Sequence, residues 1–290
     1  MYIDINGKKR QKVGLHIHTK RSDGALSPEE SIASYKEQGY DAIALTDHWI
    51  YGESGEADGL TLISGAEYNV GGADAENGVF HIVGLFMERE PELERKTVEG
   101  AQQVIDAIHS VNGLAVLAHP AWSLNTPEMI MKLEGIDATE IYNAVSENGQ
   151  SFRPDSSLIV DMLGCRGRFY PLLATDDAHF YRGIDNGKGF IMAEAPTNSP
   201  EDIKKAIVEG RFYASQGPEV HLRREGDNFV VDCSPASKIY FASHVVWCIR
   251  VFEGNGLTHA EYKPHPSDKF VRAVVIDADG KSAWTNIIEI

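Results

Sequence analysis

The sequence has few cysteines, and it has no long apolar run. Its 290 residues include three cysteines, Cys165, Cys233 and Cys248, without the spacing of a disulfide framework or of a metal site. We expect reduced thiols, as in cytoplasmic proteins. No apolar run approaches the roughly 18–20 residues of a membrane span, and no apolar segment follows the polar start, as a secretory signal peptide requires. These absences predict a cytoplasmic protein without a membrane span.

Basic residues are also scarce. Lys and Arg number 27 against 43 Asp and Glu, so the net charge is −16, and −14 of this falls in residues 1–215. Non-specific binding to nucleic acid or to an anionic membrane needs Lys and Arg that displace counterions. We therefore expect neither duplex nucleic acid nor a membrane as a partner. The charged fraction of 24% and the hydrophobic fraction of 42% exclude an intrinsically disordered chain.

β-type runs alternate with helical stretches through residues 12–215. Ser27, Thr126 and Ser199 each precede a proline, and this pattern predicts three capped helix starts. Alternating strands and helices predict βα units and a mostly parallel sheet, open or closed into a barrel. The predicted strands are 12–18, 41–46, 61–67, 79–85, 115–119, 138–142, 169–175 and 189–194.

The pattern changes after Gly217-Pro218. Five β-type runs follow without a helix-length pattern between them. They cover residues 219–222, 229–233, 238–242, 245–251 and 270–277. We therefore predict two domains, an α/β domain at 1–215 and a small all-β module at 216–290.

Histidines and carboxylates recur where the predicted parallel strands meet loops. This is the edge at which barrel enzymes build their active sites. His16 and His18, two residues apart on one strand, face the same side, so both imidazoles can reach one metal ion. A single His-x-His is a weak signal, but the ordered series is a strong one. The series is His16, His18, Asp23, His48, Glu67, His81, His119, Asp177 and His179.

In these motifs the sequence resembles the polymerase-and-histidinol-phosphatase (PHP) family of metal-dependent phosphoesterases. The resemblance covers about residues 12–215 and rests on His16-x-His18-Thr-x-x-Ser-Asp23-Gly24, Thr-Asp47-His48, His119-Pro120 and Asp177-x-His179. It implies a distorted (βα)7 barrel with two or three divalent ions, and the imidazole and carboxylate donors suit Mn, Fe or Zn. The C-terminal module looks like an extension found in some members.

The resemblance also implies a role for each residue of the series. His16, His18, Glu67 and Asp177 would bind a first metal, Glu67, His81 and His119 a second, and Asp23, His48 and His179 a third. Glu67, Asp177 and His179 are the predicted catalytic residues. The adjacent carboxylates of Asp47 and Asp176 are expected to accept hydrogen bonds from imidazole N–H groups.

The substrate contacts are less specific in the sequence. Many relatives have an arginine soon after the His-Pro motif, where this chain has Ala-Trp122-Ser. The candidates are therefore the basic residues nearest the motifs, Lys20, Arg21 and Arg182, and Trp122 or Trp49 as a stacking surface. Loops 49–59 and 71–78 would shape the pocket.

The resulting hypothesis is hydrolysis of a phosphate ester by hydroxide activated at a two- or three-metal cluster. Three carboxylate ligands do not balance three divalent ions, so the pocket would be locally cationic and would suit a small phosphorylated substrate or a nucleotide. Two alternatives remain open. The chain could hydrolyse carbamate or ester bonds at the same metals, or it could be a non-catalytic metal-bound recognition module.

Overall fold

The computed structural model describes residues 2–72, 78–147 and 151–290. Within these ranges the chain forms five helices and eighteen strands. The helices are α1 (Pro28–Glu37), α2 (Ala101–Ser110), α3 (Pro127–Ile130), α4 (Ser157–Gly164) and α5 (Pro200–Val208). The strands before residue 216 are β1 (Tyr2–Ile3), β2 (Lys9–Gly14), β3 (Ala42–Ala44), β4 (Gly55–Ala57), β5 (Leu60–Ile63), β6 (Gly65–Gly71), β7 (Val79–Leu85), β8 (Leu114–Leu117), β9 (Ala138–Asn143), β10 (Leu172–Thr175), β11 (Phe190–Ala193) and β12 (Phe212–Ser215). Those after it are β13 (Val220–Glu225), β14 (Asn228–Ala242), β15 (Val251–Tyr262), β16 (Phe270–Ile276), β17 (Ser282–Thr285) and β18 (Ile288–Glu289).

The three predicted helix starts are present. The Ser27 side chain accepts a hydrogen bond from the Glu30 backbone N–H, and the Glu30 carboxylate accepts one from the Ser27 N–H. The side chains of Thr126 and Ser199 also cap α3 and α5 by accepting a hydrogen bond from a backbone N–H, and each helix has a proline in its first turn. These side chains satisfy backbone N–H groups that have no partner within the helix, which explains why the sequence marked the starts.

The strands form two mixed sheets, one of thirteen strands and one of five. β2, β3 and β5 run parallel in the first, and β8, β9 and β10 run parallel in the second. β7 is antiparallel to both β6 and β8. Isolated bridges, Ile17 with Ala178 and His48 with Glu67, link residues that follow or belong to strands of both sheets.

The predicted (βα)7 barrel is therefore only partly right. The mixed α/β class is confirmed, but the sheets do not close into a barrel. The difference has a physical reason, because antiparallel β7, β11 and β12 replace βα repeats, and their pairing extends the sheets sideways instead of closing them.

A β-rich C-terminal region is present, as predicted. Its strands continue the large sheet through the pairing of β17 with β12. The boundary at residues 215 and 216 stays a prediction. The predicted strand at 245–251 is wrong, because Val246, Trp247 and Ile249 lie outside any strand and are almost fully exposed, and β15 begins only at Val251.

Among the described residues, no helix is both long and apolar enough to cross a membrane. The cytoplasmic location stays a prediction. The core is divided among several apolar clusters, and one of them packs β2, β3, β8 and β10 together beneath the strand edge that carries the histidines.

Candidate metal centre

The predicted ligands lie together at one edge of the two sheets. His16 and His18 follow β2, His48 follows β3, His119 follows β8, and Asp177 follows β10. Because β7 is antiparallel, His81 near its start reaches the same edge, and Glu67 lies within β6. Two backbone hydrogen bonds join the segments, from Asp177 N–H to the His16 carbonyl and from His18 N–H to the Ala178 carbonyl.

The first group consists of His16, His18, Glu67 and Asp177, all buried. The Nε2 atoms of the two imidazoles are 3.1 Å apart. Asp177 Oδ1 lies 3.2 Å from His16 Nε2 and 3.0 Å from His18 Nε2. His18 Nε2 is also 3.1 Å from Glu67 Oε2. Four potential ligand atoms thus face a common point.

Two further groups adjoin the first. Glu67 Oε1 lies 2.8 Å from His81 Nδ1 and 3.3 Å from His119 Nε2. On the other side, Asp23 Oδ1 lies 3.4 Å from His179 Nε2, and Asp23 Oδ2 lies 3.7 Å from His48 Nε2. Glu67 is shared by the first two groups, and His18 is near enough to belong to the third as well. The structure therefore brings together all nine predicted ligands.

The electrostatics of the centre are strongly coupled. Burial opposes ionisation of Glu67 and Asp177, but the surrounding imidazoles hold the pKa of each carboxyl well below its usual value. Burial alone would lower the pKa of His179, but the hydrogen bond to Asp23 and the charge of Asp177 raise it to about 9. The pKa of His48 is lowered instead, chiefly by burial.

The donor set fits divalent ions. Asp177 Oδ1 is buried and accepts no hydrogen bond, although imidazole nitrogens surround it. His48 Nδ1 is likewise buried without a hydrogen bond, 3.1 Å from Glu67 Oε2. Buried polar atoms are normally satisfied, and these are imidazole nitrogens and carboxylate oxygens, which suit Mn, Fe or Zn.

Asp47 and Asp176 accept hydrogen bonds from hydroxyl and backbone N–H groups instead of the predicted imidazoles. Asp47 accepts hydrogen bonds from the backbone and hydroxyl groups of Thr19 and Ser22, so it orders the loop that carries Asp23. Asp176 accepts from the Tyr35 hydroxyl and from three backbone N–H groups at residues 187–189. Burial raises the pKa of Asp176 to about 6.

A carboxylate outside the three ligand groups, that of Glu140, contacts the His16 imidazole, and this contact was not predicted from the sequence. Its Oε1 lies 2.7 Å from His16 Nδ1, and the side chain is buried. A signal was available, because Glu140 is an acidic residue inside the otherwise uncharged strand β9. Glutamate is almost never fully buried unless it is paired.

A cavity of about 180 Å³ opens over the centre. Its lining consists of Asp23, His48, Glu67, His81, His119, Trp122, Asp177 and His179. The Trp122 ring packs edge-on to His119 and His81, with ring centroids 4.9 and 5.4 Å apart. Of the predicted substrate contacts, Trp122 is therefore the one that reaches the cavity.

The other candidates lie elsewhere. Lys20 pairs with Glu30, and Arg21 donates to the Tyr51 carbonyl. Arg182 is exposed outside the cavity lining, and Trp49 donates its indole N–H to Asn69. Of the two pocket-shaping loops, 49–59 is described, whereas residues 73–77 of the other lie outside the described residues.

Comparison with known proteins identifies the domain. Residues 14–151 match the model of the PHP domain family. This part of the chain is therefore a PHP domain, and the predicted resemblance to that family is confirmed. The whole chain also resembles a two-domain protein from Bacteroides vulgatus that contains a predicted PHP-like metal-dependent phosphoesterase. The TM-score is 0.56 at 15% sequence identity, over 99% of this chain and 96% of that one, which shows a shared fold.

Two curated relatives match parts of the chain. The error-prone DNA polymerase of Cutibacterium acnes is 33% identical over 131 residues, which cover 39% of this chain and 12% of that protein. The 5'-3' exoribonuclease of Haemophilus influenzae is 35% identical over 85 residues, which cover 27% of this chain and 30% of that protein. The chain thus spans less than a third of either relative.

These relatives correct one expectation. We expected duplex nucleic acid to be excluded as a partner because the chain is acidic, and that exclusion is wrong, because a relative of the same domain is a DNA polymerase. The physical reason is that net charge averages over the whole surface. A substrate meets the local field of the site, and bound cations can dominate that field.

Proposed function

We propose that this chain is a metal-dependent phosphoesterase that hydrolyses the phosphoester of a nucleotide unit, either free or in a nucleic-acid strand. The observation that carries the proposal is the set of three ligand groups around Glu67, open to a cavity that Trp122 borders. The domain assignment supports it independently.

Each ligand group would hold one divalent ion. His16, His18, Glu67 and Asp177 would hold the first, Glu67, His81 and His119 the second, and Asp23, His48 and His179 the third. Bound ions of this kind supply Lewis-acid stabilisation of a phosphoryl group and lower the pKa of water. Mn, Fe and Zn all suit the donors.

The protein's own residues set the geometry. Glu67 is shared between two groups, so it fixes their separation. The backbone carbonyl oxygen of Asp177 lies 2.7 Å from His179 Nδ1 and can accept a hydrogen bond from Nδ1–H. Nε2 of the same ring then faces Asp23 and the cavity. Asp47 holds the loop at residues 19–22 through four hydrogen bonds, and Asp23 follows that loop.

The cavity size and Trp122 support a nucleotide-type substrate. Pockets that enclose whole drug-sized ligands measure roughly 300–1,000 Å³. A cavity of about 180 Å³ suits a phosphoryl group, and the rest of the substrate would then lie at its mouth beside Trp122. Aromatic side chains stack on any nucleobase. The relatives that act as a DNA polymerase and an exoribonuclease favour the same class.

A substrate panel tests the proposal. The purified chain, loaded with Mn²⁺, is incubated with mononucleotides, single-stranded and duplex oligonucleotides, an aryl phosphate, an aryl carbamate and an aryl ester. We expect hydrolysis of nucleotide-type phosphoesters. Cleavage of the carbamate or ester alone would identify the alternative metallohydrolase, and a metal-loaded protein inert on every substrate would favour the recognition module.

Trp122→Ala sharpens the assay. Loss of a stacked base costs about 1–3 kcal/mol, so we expect KM for a nucleotide substrate to rise roughly five- to 150-fold. Trp247→Ala is the matched control, because Trp247 is 88% exposed and outside the cavity lining. Equal KM values for the two variants would remove Trp122 from the substrate site.

A further inference from the structure

Glu140 connects two metal ligands that come from different strands. Besides its contact with His16, it accepts a hydrogen bond from the backbone N–H of His119 at Oε2, at 2.9 Å. The same oxygen accepts from Nδ2 of Asn143, at 2.8 Å. Three donors thus converge on one carboxylate, which is 1% exposed.

Asn143 extends the connection to a third ligand. Its Nδ2 lies 3.2 Å from Asp177 Oδ2, so the same amide group faces both carboxylates. Its Oδ1 accepts from the backbone N–H and the hydroxyl of Ser146. Because two donors occupy the amide oxygen, the NH₂ group must point toward Glu140 and Asp177, where it lies between two negative charges.

We propose that Glu140 and Asn143 are positioning residues that hold His16, His119 and Asp177 in place for metal binding. The inference rests on the proposed metal centre and adds two residues to it. A carboxylate that accepts from Nδ1–H of His16 leaves the Nε2 lone pair facing Glu67 and Asp177. Its second oxygen anchors the backbone of His119, which has an unusual positive φ of 27°.

Glu140 does not act as a ligand itself. It lies outside the three ligand groups, and both of its oxygens already accept hydrogen bonds from the protein. Its effect therefore passes through the residues that it contacts. Contacts of this kind typically change metal affinity by about 10–100-fold.

Glu140→Gln tests the proposal directly. Glutamine has one acceptor oxygen, and its second oxygen position is taken by an NH₂ group with two donors. That NH₂ group must face a hydrogen-bond donor of the protein, because both oxygens of Glu140 accept hydrogen bonds. We expect Mn²⁺ titration of the metal-free protein to show affinity at the first two ligand groups reduced by about 10–100-fold, with occupancy restored at high Mn²⁺. Thermal unfolding in EDTA separates this effect from a loss of fold.

Two further variants make the test decisive. Asn143→Ala should weaken Mn²⁺ binding in the same direction, and it serves as the readout if Glu140→Gln does not fold. Asp137→Asn is the matched control, because it removes a carboxylate 2.8 Å from His109 Nε2, outside the three ligand groups. Its Mn²⁺ affinity should equal that of the wild type.

The outcomes separate the inference from the proposed function. If the wild-type protein binds no Mn²⁺, the proposed metal centre itself fails. If the wild type binds Mn²⁺ and both folded variants bind it with wild-type affinity, only the positioning role is overturned. Folded variants that bind weakly, while Asp137→Asn binds normally, support it.

Discussion

At the scale of single residues, the loop from His18 to Gly24 tolerates little change. Asp47 holds it through Thr19 and Ser22, and the Gly24 N–H bonds the Thr19 carbonyl. A Cβ atom at Gly24 would lie 2.3 Å from the His18 carbonyl oxygen, a distance that real side chains do not reach. The close backbone approach therefore requires glycine.

Gly24→Ala should displace this loop and weaken the metal group that contains Asp23. We expect that group's Mn²⁺ affinity to fall by about 10–100-fold, the range seen when ligand support is removed. Gly55→Ala is the control, since its Cβ would meet nothing within 4 Å. Titration of both variants with Mn²⁺ provides the comparison, and indistinguishable binding would contradict the steric argument.

The pKa of His179 predicts a pH dependence of metal binding. Because Asp23 and Asp177 raise it to about 9, the metal-free imidazole carries a proton at pH 7. A metal ion needs the deprotonated ring, so binding at this group releases that proton. The apparent affinity should fall up to about tenfold for each pH unit below 9.

Calorimetric Mn²⁺ titrations at several pH values, in buffers of different ionisation heat, count the released protons. His259→Gln is the control, because it removes an exposed imidazole whose pKa is raised by Asp232 away from the centre. Proton release should be unchanged in this variant and smaller in His179→Gln. Affinity that is independent of pH between 6.5 and about 9 would contradict the prediction.

The ligands were visible in the sequence because histidines and carboxylates recur in an ordered series at or near the predicted strand ends. The role of Glu140 and Asn143 was not visible, because it depends on which strands become neighbours. His16 and Glu140 are 124 residues apart in the chain, and no local pattern encodes that contact. Trp122 was one of several candidates, and only the cavity geometry distinguishes it from Lys20 or Arg182.

At the scale of elements, an ion pair joins α4 to β16. The Arg272 guanidinium bonds both carboxylate oxygens of Asp161, at 2.7 and 2.8 Å. The arginine side chain is 1% exposed, whereas the aspartate side chain is 26% exposed. Water can therefore solvate the aspartate when the arginine is removed, but it hardly reaches the arginine when the aspartate is removed. Removing one member of a buried pair leaves a charge uncompensated.

Asp161→Leu should therefore destabilise the protein more than Arg272→Met does. The first leaves a buried guanidinium without its carboxylate, at a cost of about 3–5 kcal/mol in the free energy of unfolding. The second leaves a carboxylate that is partly in water. Chemical denaturation of both variants measures the difference, and equal or reversed effects would show that burial does not set the cost.

The local sequence determines whether a segment starts a helix more closely than it determines which strands pair. The capping residues at Ser27, Thr126 and Ser199 mark helix starts because the bonds they make are within three residues. The apolar run at 245–251 satisfies the same β criteria as true strands, but it is exposed outside any strand. Composition cannot distinguish a buried strand from an exposed apolar segment.

At the scale of the whole molecule, the C-terminal region is built into the main sheet. β17 pairs with β12, with Trp284 opposite Ala214, and the Trp284 ring stacks on Tyr142 of β9 at 5.5 Å between centroids. Near the chain start, the Tyr2 hydroxyl bonds Glu219. The sequence predicted a β-rich region, but pairing between strands about 70 residues apart has no local signature.

A chain truncated after residue 215 should fold poorly. It exposes the edge of β12 and removes the buried Trp284, a loss of about 3–5 kcal/mol by analogy with large core deletions. We expect aggregation or a much lower melting temperature, measured by circular dichroism. A truncated chain with the melting temperature of the whole protein would show that residues 1–215 fold independently of the C-terminal region.

We expect Glu67 to be shared by two metal ions that support phosphoester hydrolysis. The most direct measurement combines elemental analysis with nucleotide hydrolysis for the wild type, Glu67→Gln and the surface control Glu134→Gln. We predict two or three metal equivalents in the wild type and the control, at least one fewer in Glu67→Gln, and a fall in hydrolysis of about a thousandfold or more. Full metal content and full activity in a folded Glu67→Gln protein would contradict the role of Glu67 as a shared metal ligand.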